Sequence, residues 1–325
     1  MIFFSVLLAF IIEQSYSLSP RNPVSGLLQF HVKTVVKYFD KSKFKNSLFL
    51  WIIVVLPWIL IISLIYFLLY KISFLFVLVW NVIVIYFTLG FGKFNCYITN
   101  IHSALKNSDI NQAREILNKW TGIDTSNMPV IGVVRYTLIY TIIASHRNLF
   151  GIFFLFASPV GISGVVLYRI SEYLACNSSS YLDNDSIATS FSKFSHRVFF
   201  IIDWIPVRLT SLGFAIVGNF EDAIYEWRNY AHRWSDSNIG VLLTACSGAL
   251  GTKLIRDTTL FEPSNILENT LEIDNNGTLN KDNSQVDNSI SYVINILQDV
   301  INLVGRSVVL WATLLLMLTI ASYIS

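Results

Sequence analysis

The stretch SLFLWIIVVLPWILIISLIYFLLY, Ser47–Tyr70, decides the fold. No charged residue lies between Lys45 and Lys71, and at about 1.5 Å per residue a helix of this length exceeds a hydrocarbon core of about 30 Å. A transmembrane helix is predicted, because in lipid every backbone N–H and C=O must be satisfied within the segment itself. Pro57 removes one backbone donor and crowds the preceding turn, which predicts a kink. Lys71 is the only charge before a second uncharged run, Ile72–Gly92, so the two runs read as a tight helical hairpin.

Working outward, a third uncharged run lies between Arg147 and Arg169, where Pro159, Gly161 and Gly164 predict a broken or closely packed helix. A fourth, Val198–Gly218, carries Asp203 and Arg208 inside it, and a fifth, Ser307–Ile324, is free of charge. Met1–Ile12 is apolar but short and has neither a basic leader nor a small-residue cleavage site, so it reads as a retained interfacial or half-buried helix. Val130–Ser145 is apolar but interrupted by Arg135. The expected fold class is all-α, a polytopic transmembrane helical protein with cytoplasmic helical loops.

Composition agrees. Of 325 residues, 54% are hydrophobic and 14% charged, against about 25% charged in a soluble domain. The net charge of +2, with no basic patch among stacking aromatics, excludes a nucleic-acid partner. Cys96, Cys176 and Cys246 lie far apart, as do His31, His102, His146, His196 and His232, so no metal site or disulfide framework is expected. SGALGTK, Ser247–Lys253, lacks the spacing of a phosphate loop and reads as small-residue helix packing.

Lys and Arg are retained on the cytoplasmic side of membrane helices. Arg21, Lys33, Lys37, Lys41, Lys43 and Lys45 precede the hairpin; Lys93, Lys106, Arg114, Lys119, Arg135 and Arg147 follow it; Lys71 alone marks its tip. The bases of the hairpin are therefore expected inside and its tip outside. The implied division is 1–46, an N-terminal helix and basic cytoplasmic segment; 47–92, the hairpin; 93–147, a cytoplasmic helical segment; and 148–218, membrane helices with a short outer loop. Residues 219–256 follow as cytoplasmic amphipathic helices, 257–306 as a polar linker and 307–325 as a last membrane helix. In the first soluble piece, Ser108 or Asp109 can cap a helix with Ile110, Ala113, Leu117 and Trp120 on one face. In the second, Asn219 is the expected N-cap, with Glu221 and Asp222 in the first turn and Phe220, Ile224, Trp227, Ala231 and Trp234 along one docking stripe.

IIDWIPVRLTSLGFAIVGNFEDAIYEW, Ile201–Trp227, holds the candidate site. A charge at mid-membrane costs at least about 2.5 kcal/mol, so Asp203 and Arg208 must meet partners or water. One reading is a polar cavity formed by Asp203, Trp204, Arg208, Asn219, Glu221 and Asp222. The other is a structural clamp in which neighbouring helices meet each charge through His146, Arg147, Arg169 or Glu172. Besides the lipid bilayer, a small molecule or a membrane protein is a possible partner.

D-W-x-P-x-R-L at Asp203–Leu209, followed by A-x-x-G at Ala215–Gly218, resembles the superfamily of the cobalamin-biosynthesis membrane proteins CobD/CbiB and the membrane protein AmpE. The order of FFSVLLAFIIEQ, the hairpin, ITNIHSALKNSDINQAREIL, DWIPVRL, AIVGNFEDAIYEW and a terminal apolar helix is closer to AmpE. That resemblance implies a regulatory, non-catalytic protein of the bacterial inner membrane, tied to beta-lactamase induction and cell-wall recycling and needing no cofactor. The CobD/CbiB alternative implies an enzyme, an adenosylcobinamide-phosphate synthase that uses ATP and magnesium to join a corrinoid carboxylate to an aminopropanol derivative. That branch is expected to carry E-N-x-x-D before an apolar run, whereas SHRNLFGIFFLF, Ser145–Phe156, places His146 and Arg147 there. A solute transporter is a third reading, without an evident second half-repeat.

Overall fold

The computed structural model describes residues 2–15, 23–40, 47–89, 91–107, 109–177, 185–252 and 283–324. Their regular structure is helical, without a strand among the described residues. In chain order the helices are α1 (Ile2–Ser15), α2 (Pro23–Asp40), α3 (Ser47–Ile72), α4 (Phe74–Thr88), α5 (Phe91–Lys106), α6 (Ile110–Thr121) and α7 (Val130–Ser145). They continue with α8 (Gly151–Ala157), α9 (Gly161–Asn177), α10 (Asp185–Val217), α11 (Phe220–Tyr230), α12 (Ser237–Leu250) and α13 (Asn283–Ile324). Among the described residues four segments are long and apolar enough to cross a membrane: Ser47–Ile72, Val130–Ala157, Ser190–Val217 and Asn295–Ala321. The protein is a multi-pass membrane protein, as its sequence predicts.

Several boundaries differ from expectation. The second arm of the hairpin, read from Ile72 to Gly92, is α4, only 15 residues long and closed by Leu89 in extended conformation. At about 1.5 Å per residue it spans some 22 Å, short of a full hydrocarbon core. The run between Arg147 and Arg169 is not one span. It completes the long helical segment that starts at Val130, stops at Ala157, and turns back into α9. Pro159 forces Ser158 out of the helical region, to ψ 164°, and Gly161 adopts the left-handed φ of 59° that starts the return. The segment read as a linker to Arg306 becomes α13 from Asn283 onward; residues 257–282 of that reading lie outside the described residues.

The chain forms two compact units, 1–93, 147–206 and 314–325 in the first and 94–146 with 207–313 in the second. In the first, α3 and α4 are joined by Ser73 alone, whose hydroxyl accepts the Leu75 N–H at the start of α4. α9 lies against both arms, and Ser63 of α3 and Ser163 of α9 share a 2.8 Å hydrogen bond. α1 packs on α4, with Ser5, Ala9 and Glu13 buried and Phe4, Leu7, Leu8, Ile11 and Ile12 exposed. That outward face suits lipid.

In the second unit Asp109 caps α6 through the Gln112 N–H, and Gly122 ends it at φ 74°. Ala113 and Leu117 are buried on the expected face, and the Arg114 guanidinium bonds the Met128 carbonyl at 2.6 and 2.9 Å. Tyr97 stacks on Trp120, which leans on Tyr140 of α7. α11 and α12 approach at backbone distance. A Cβ on Gly248 would strike the Asp222 carbonyl, and one on Gly240 the Ala231 carbonyl, which is the small-residue packing read from SGALGTK. The stripe expected to dock α11 is only partly used. Of its members Ala231 is buried, Ile224, Trp227 and Trp234 are half-buried and Phe220 faces outward, while the close contact is made by Ala223, because a glycine surface admits a helix closely only where that helix is also small.

Candidate functional site

Between α7 and α8 the helix widens into a single π-turn, His146–Phe150. A π-turn inserts one residue into the helical ladder and often accompanies function. Here it fans three consecutive polar side chains apart. His146, buried in the second unit, shares a 2.8 Å hydrogen bond with Thr210. Arg147 and Asn148 enter a polar cluster of the first unit.

That cluster gathers Arg147, Asn148, Tyr168, Arg169, Glu172, Cys176 and Asp203. The buried Tyr168 hydroxyl donates to Asp203 Oδ1 at 2.9 Å, and its ring leans on Phe199 with centroids 5.3 Å apart. Gly151 makes room for that hydroxyl, since a Cβ there would lie 2.5 Å from it. Arg169 is held at both ends of its fork, by Glu172 Oε2 at 2.6 Å and Asn148 Oδ1 at 2.7 Å. The Arg147 guanidinium sits 5.4 Å from the Phe199 ring centre and 3.7 Å from Cys176 Sγ, within the field of Glu172, Tyr168 and Asp203. Two guanidinium groups and two carboxylates thus share one partly buried region with their formal charges balanced.

The residues expected from the sequence divide as follows. Asp203 is buried and met by Tyr168, whereas Trp204 lies on the exposed face of α10 with Ile201 and Ile205. Arg208, in the second unit, donates to Asn238 at 3.3 Å. Asn219 caps α11, accepting the Asp222 N–H and donating to Asp222 Oδ2 at 2.6 Å, with Glu221 and Asp222 exposed in the first turn. Of the four proposed charge partners, Arg169 and Glu172 bond each other, His146 bonds Thr210, and Arg147 acts on Asp203 through its charge. Tyr168, Asn148, Thr210 and Asn238 were not singled out from sequence. Neutral polar side chains in apolar helices leave no charge signal, and only the departure at His146–Arg147 pointed to this turn.

Among the described residues no three His, Cys, Asp or Glu side chains converge as metal ligands. The donor set of the cluster, two carboxylates already engaged by Arg169 and Tyr168, does not fit a protein-held magnesium ion.

A family model described as CobD/Cbib protein matches residues 2–276. Cobalamin biosynthesis protein CobD of Stutzerimonas stutzeri is 26% identical over 174 residues, 54% of this chain and 56% of that protein. The protein of the same name from Chromobacterium violaceum is 27% identical over 177 residues, 53% and 54% of the two chains. A probable cobalamin biosynthesis protein CobD of Thermoplasma acidophilum is 26% identical over 240 residues, 71% and 75%. The chain thus matches about half the length of the first two relatives. No solved structure matches it. These relatives overturn the closer likeness to AmpE and, with it, the regulatory, non-catalytic role expected from the order of the motifs. The chain belongs to the CobD/CbiB family.

Proposed function

We propose that this protein acts in cobalamin biosynthesis as an adenosylcobinamide-phosphate synthase in the bacterial inner membrane, forming the amide between a corrinoid carboxylate and an aminopropanol derivative. The observation that carries this reading is the charge-balanced cluster at the π-turn, which lies where the resemblance calls for acids. His146 and Arg147 occupy those positions, and the carboxylates come instead from α9 and α10 as Glu172 and Asp203.

Amide formation asks a protein to hold a carboxylate and an amine together, to take a proton from the amine as the C–N bond forms, and to stabilise negative charge on the carbonyl oxygen. Arg147 and Arg169 supply fixed cations for an oxyanion. Glu172 and Asp203 supply acceptors for an ammonium group or its proton, and Tyr168 keeps Asp203 oriented. ATP enters as a substrate: transfer of a phosphoryl group to the corrinoid carboxylate makes an acyl phosphate, and its C–O bond breaks as the amine forms the C–N bond, so that the oxygen leaves with phosphate. Because the acids do not fit a protein-held metal, no step here is assigned to magnesium.

The test is complementation. In a strain lacking its own synthase and fed adenosylcobyric acid, expression of the chain should restore corrinoid-dependent growth, with adenosylcobinamide phosphate detected by mass spectrometry. Well-expressed, membrane-inserted protein that yields no product would overturn the assignment.

A further inference from the structure

α2 lies back along the first half of α3. The His31 ring stands edge-on to Trp58, with centroids 6.2 Å apart. At about 1.5 Å per residue, His31 lies about 14 Å before the end of α2 and Trp58 about 17 Å after the start of α3. Near-equal distances from one short connection mean that the two helices run antiparallel, and α2 packs on α3 with Leu28 and Val32 buried. The opposite face carries Leu27, Phe30 and Lys33 at three-residue spacing, all exposed. At 72%, Phe30 is the most exposed large apolar side chain among the described residues, a position that water disfavours and an acyl chain suits. Lys33 stands about 10 Å from the end of α2, so its apolar stem can carry the ammonium to headgroup level.

Charge identifies what covers this face. Arg21–Lys45 contains six Lys or Arg and one acid, Asp40, whereas the whole chain is only +2, so the remainder is net negative. Positive charge beside exposed apolar side chains, on a helix lying along a membrane-spanning one, fits a lipid of negative headgroup. We propose that the outward face of α2 binds an anionic phospholipid, with an acyl chain on Leu27 and Phe30 and the headgroup phosphate on Lys33. A choline lipid fits less well, because its own cation offsets the attraction of its phosphate for the lysine. α2, which the sequence places in a basic cytoplasmic segment, is thereby bound to the membrane. The site is independent of the amide-forming reading.

The experiment uses the full chain in vesicles of equal parts phosphatidylglycerol and phosphatidylcholine, with the photoreactive p-benzoylphenylalanine in place of Phe30. On irradiation it should join phospholipid, identified by mass spectrometry, with phosphatidylglycerol favoured at least about fivefold, the factor one lysine contributes near an anionic surface. Lys33→Gln in the same labelled chain should lower that preference about fivefold, and Lys33→Arg, which keeps the charge, should retain it. Lys106→Gln, at an exposed lysine of α5, should leave it unchanged. Added salt should weaken the preference, as it screens the headgroup charge. If the labelled chain does not insert, immobilisation of spin-labelled phosphatidylglycerol against spin-labelled phosphatidylcholine by the unlabelled chain and its Lys33 variants makes the same comparison. Equal capture of the two lipids, a preference indifferent to Lys33→Gln, or a cross-link to a second copy of the chain in place of lipid overturns the proposal.

Discussion

The Tyr168 hydroxyl donates a 2.9 Å hydrogen bond to Asp203 Oδ1, tying α9 to α10 across 35 residues of chain. Both side chains are buried, so this bond fixes how two helices meet in a region with little water. Tyr168→Phe removes this hydrogen bond from a buried pair, which should lower stability by about 1 kcal/mol. Thermal unfolding in detergent should show this as a lower midpoint, and an unshifted midpoint would remove Tyr168 as a determinant of Asp203.

Gly151→Ala should act on the same pair from the other side. A Cβ there meets the Tyr168 hydroxyl at 2.5 Å and its ring carbons at 2.6 and 2.9 Å, so the ring itself must move. Overpacking of this kind costs about 1–3 kcal/mol and adds to the lost hydrogen bond. Gly151→Ala is therefore expected to unfold at a lower temperature than Tyr168→Phe, a ranking that one set of melting curves decides.

Gly248→Ala tests the close approach of α11 and α12. The added methyl strikes the Asp222 carbonyl and the Ala223 Cα, both backbone atoms that cannot rotate away. The folded yield should fall sharply, with faster protease cleavage near Gly218–Asn219. Ala249→Gly, one residue along, removes a methyl without inserting one and serves as the comparison.

The Ser63–Ser163 hydrogen bond joins α3 to α9 at 2.8 Å. Interhelical bonds of this type average about 0.6 kcal/mol of coupling and rarely pass about 1.7 kcal/mol. A double-mutant cycle of Ser63→Ala and Ser163→Ala should return a coupling in that range; a value near zero would mean that each hydroxyl is satisfied within its own helix.

Orientation follows from the flanking Lys and Arg residues. A reporter fused at Ser73, the turn between α3 and α4, should behave as periplasmic, and one at Asn111 in α6 as cytoplasmic. The reverse pair would invert the topology.

The sequence by itself determined that this chain is helical and membrane-bound, where α3 lies, that Asn219 begins a helix, and that another begins at Ser108 or Asp109. Hydropathy adds residue by residue and an N-cap bonds an amide two or three residues away, so both are local and legible. Tertiary structure alone decided that Val130–Ala157 is one long segment with a π-turn, that Pro159 and Gly161 send the chain back, and that Asp203 meets Tyr168. It also decided that Arg169, not Arg147, takes Glu172. Many helix packings satisfy the same apolar pattern, and each gives a buried polar group different neighbours. The partner is fixed only when helices tens of residues apart come to lie side by side, and no periodicity along the chain records that choice.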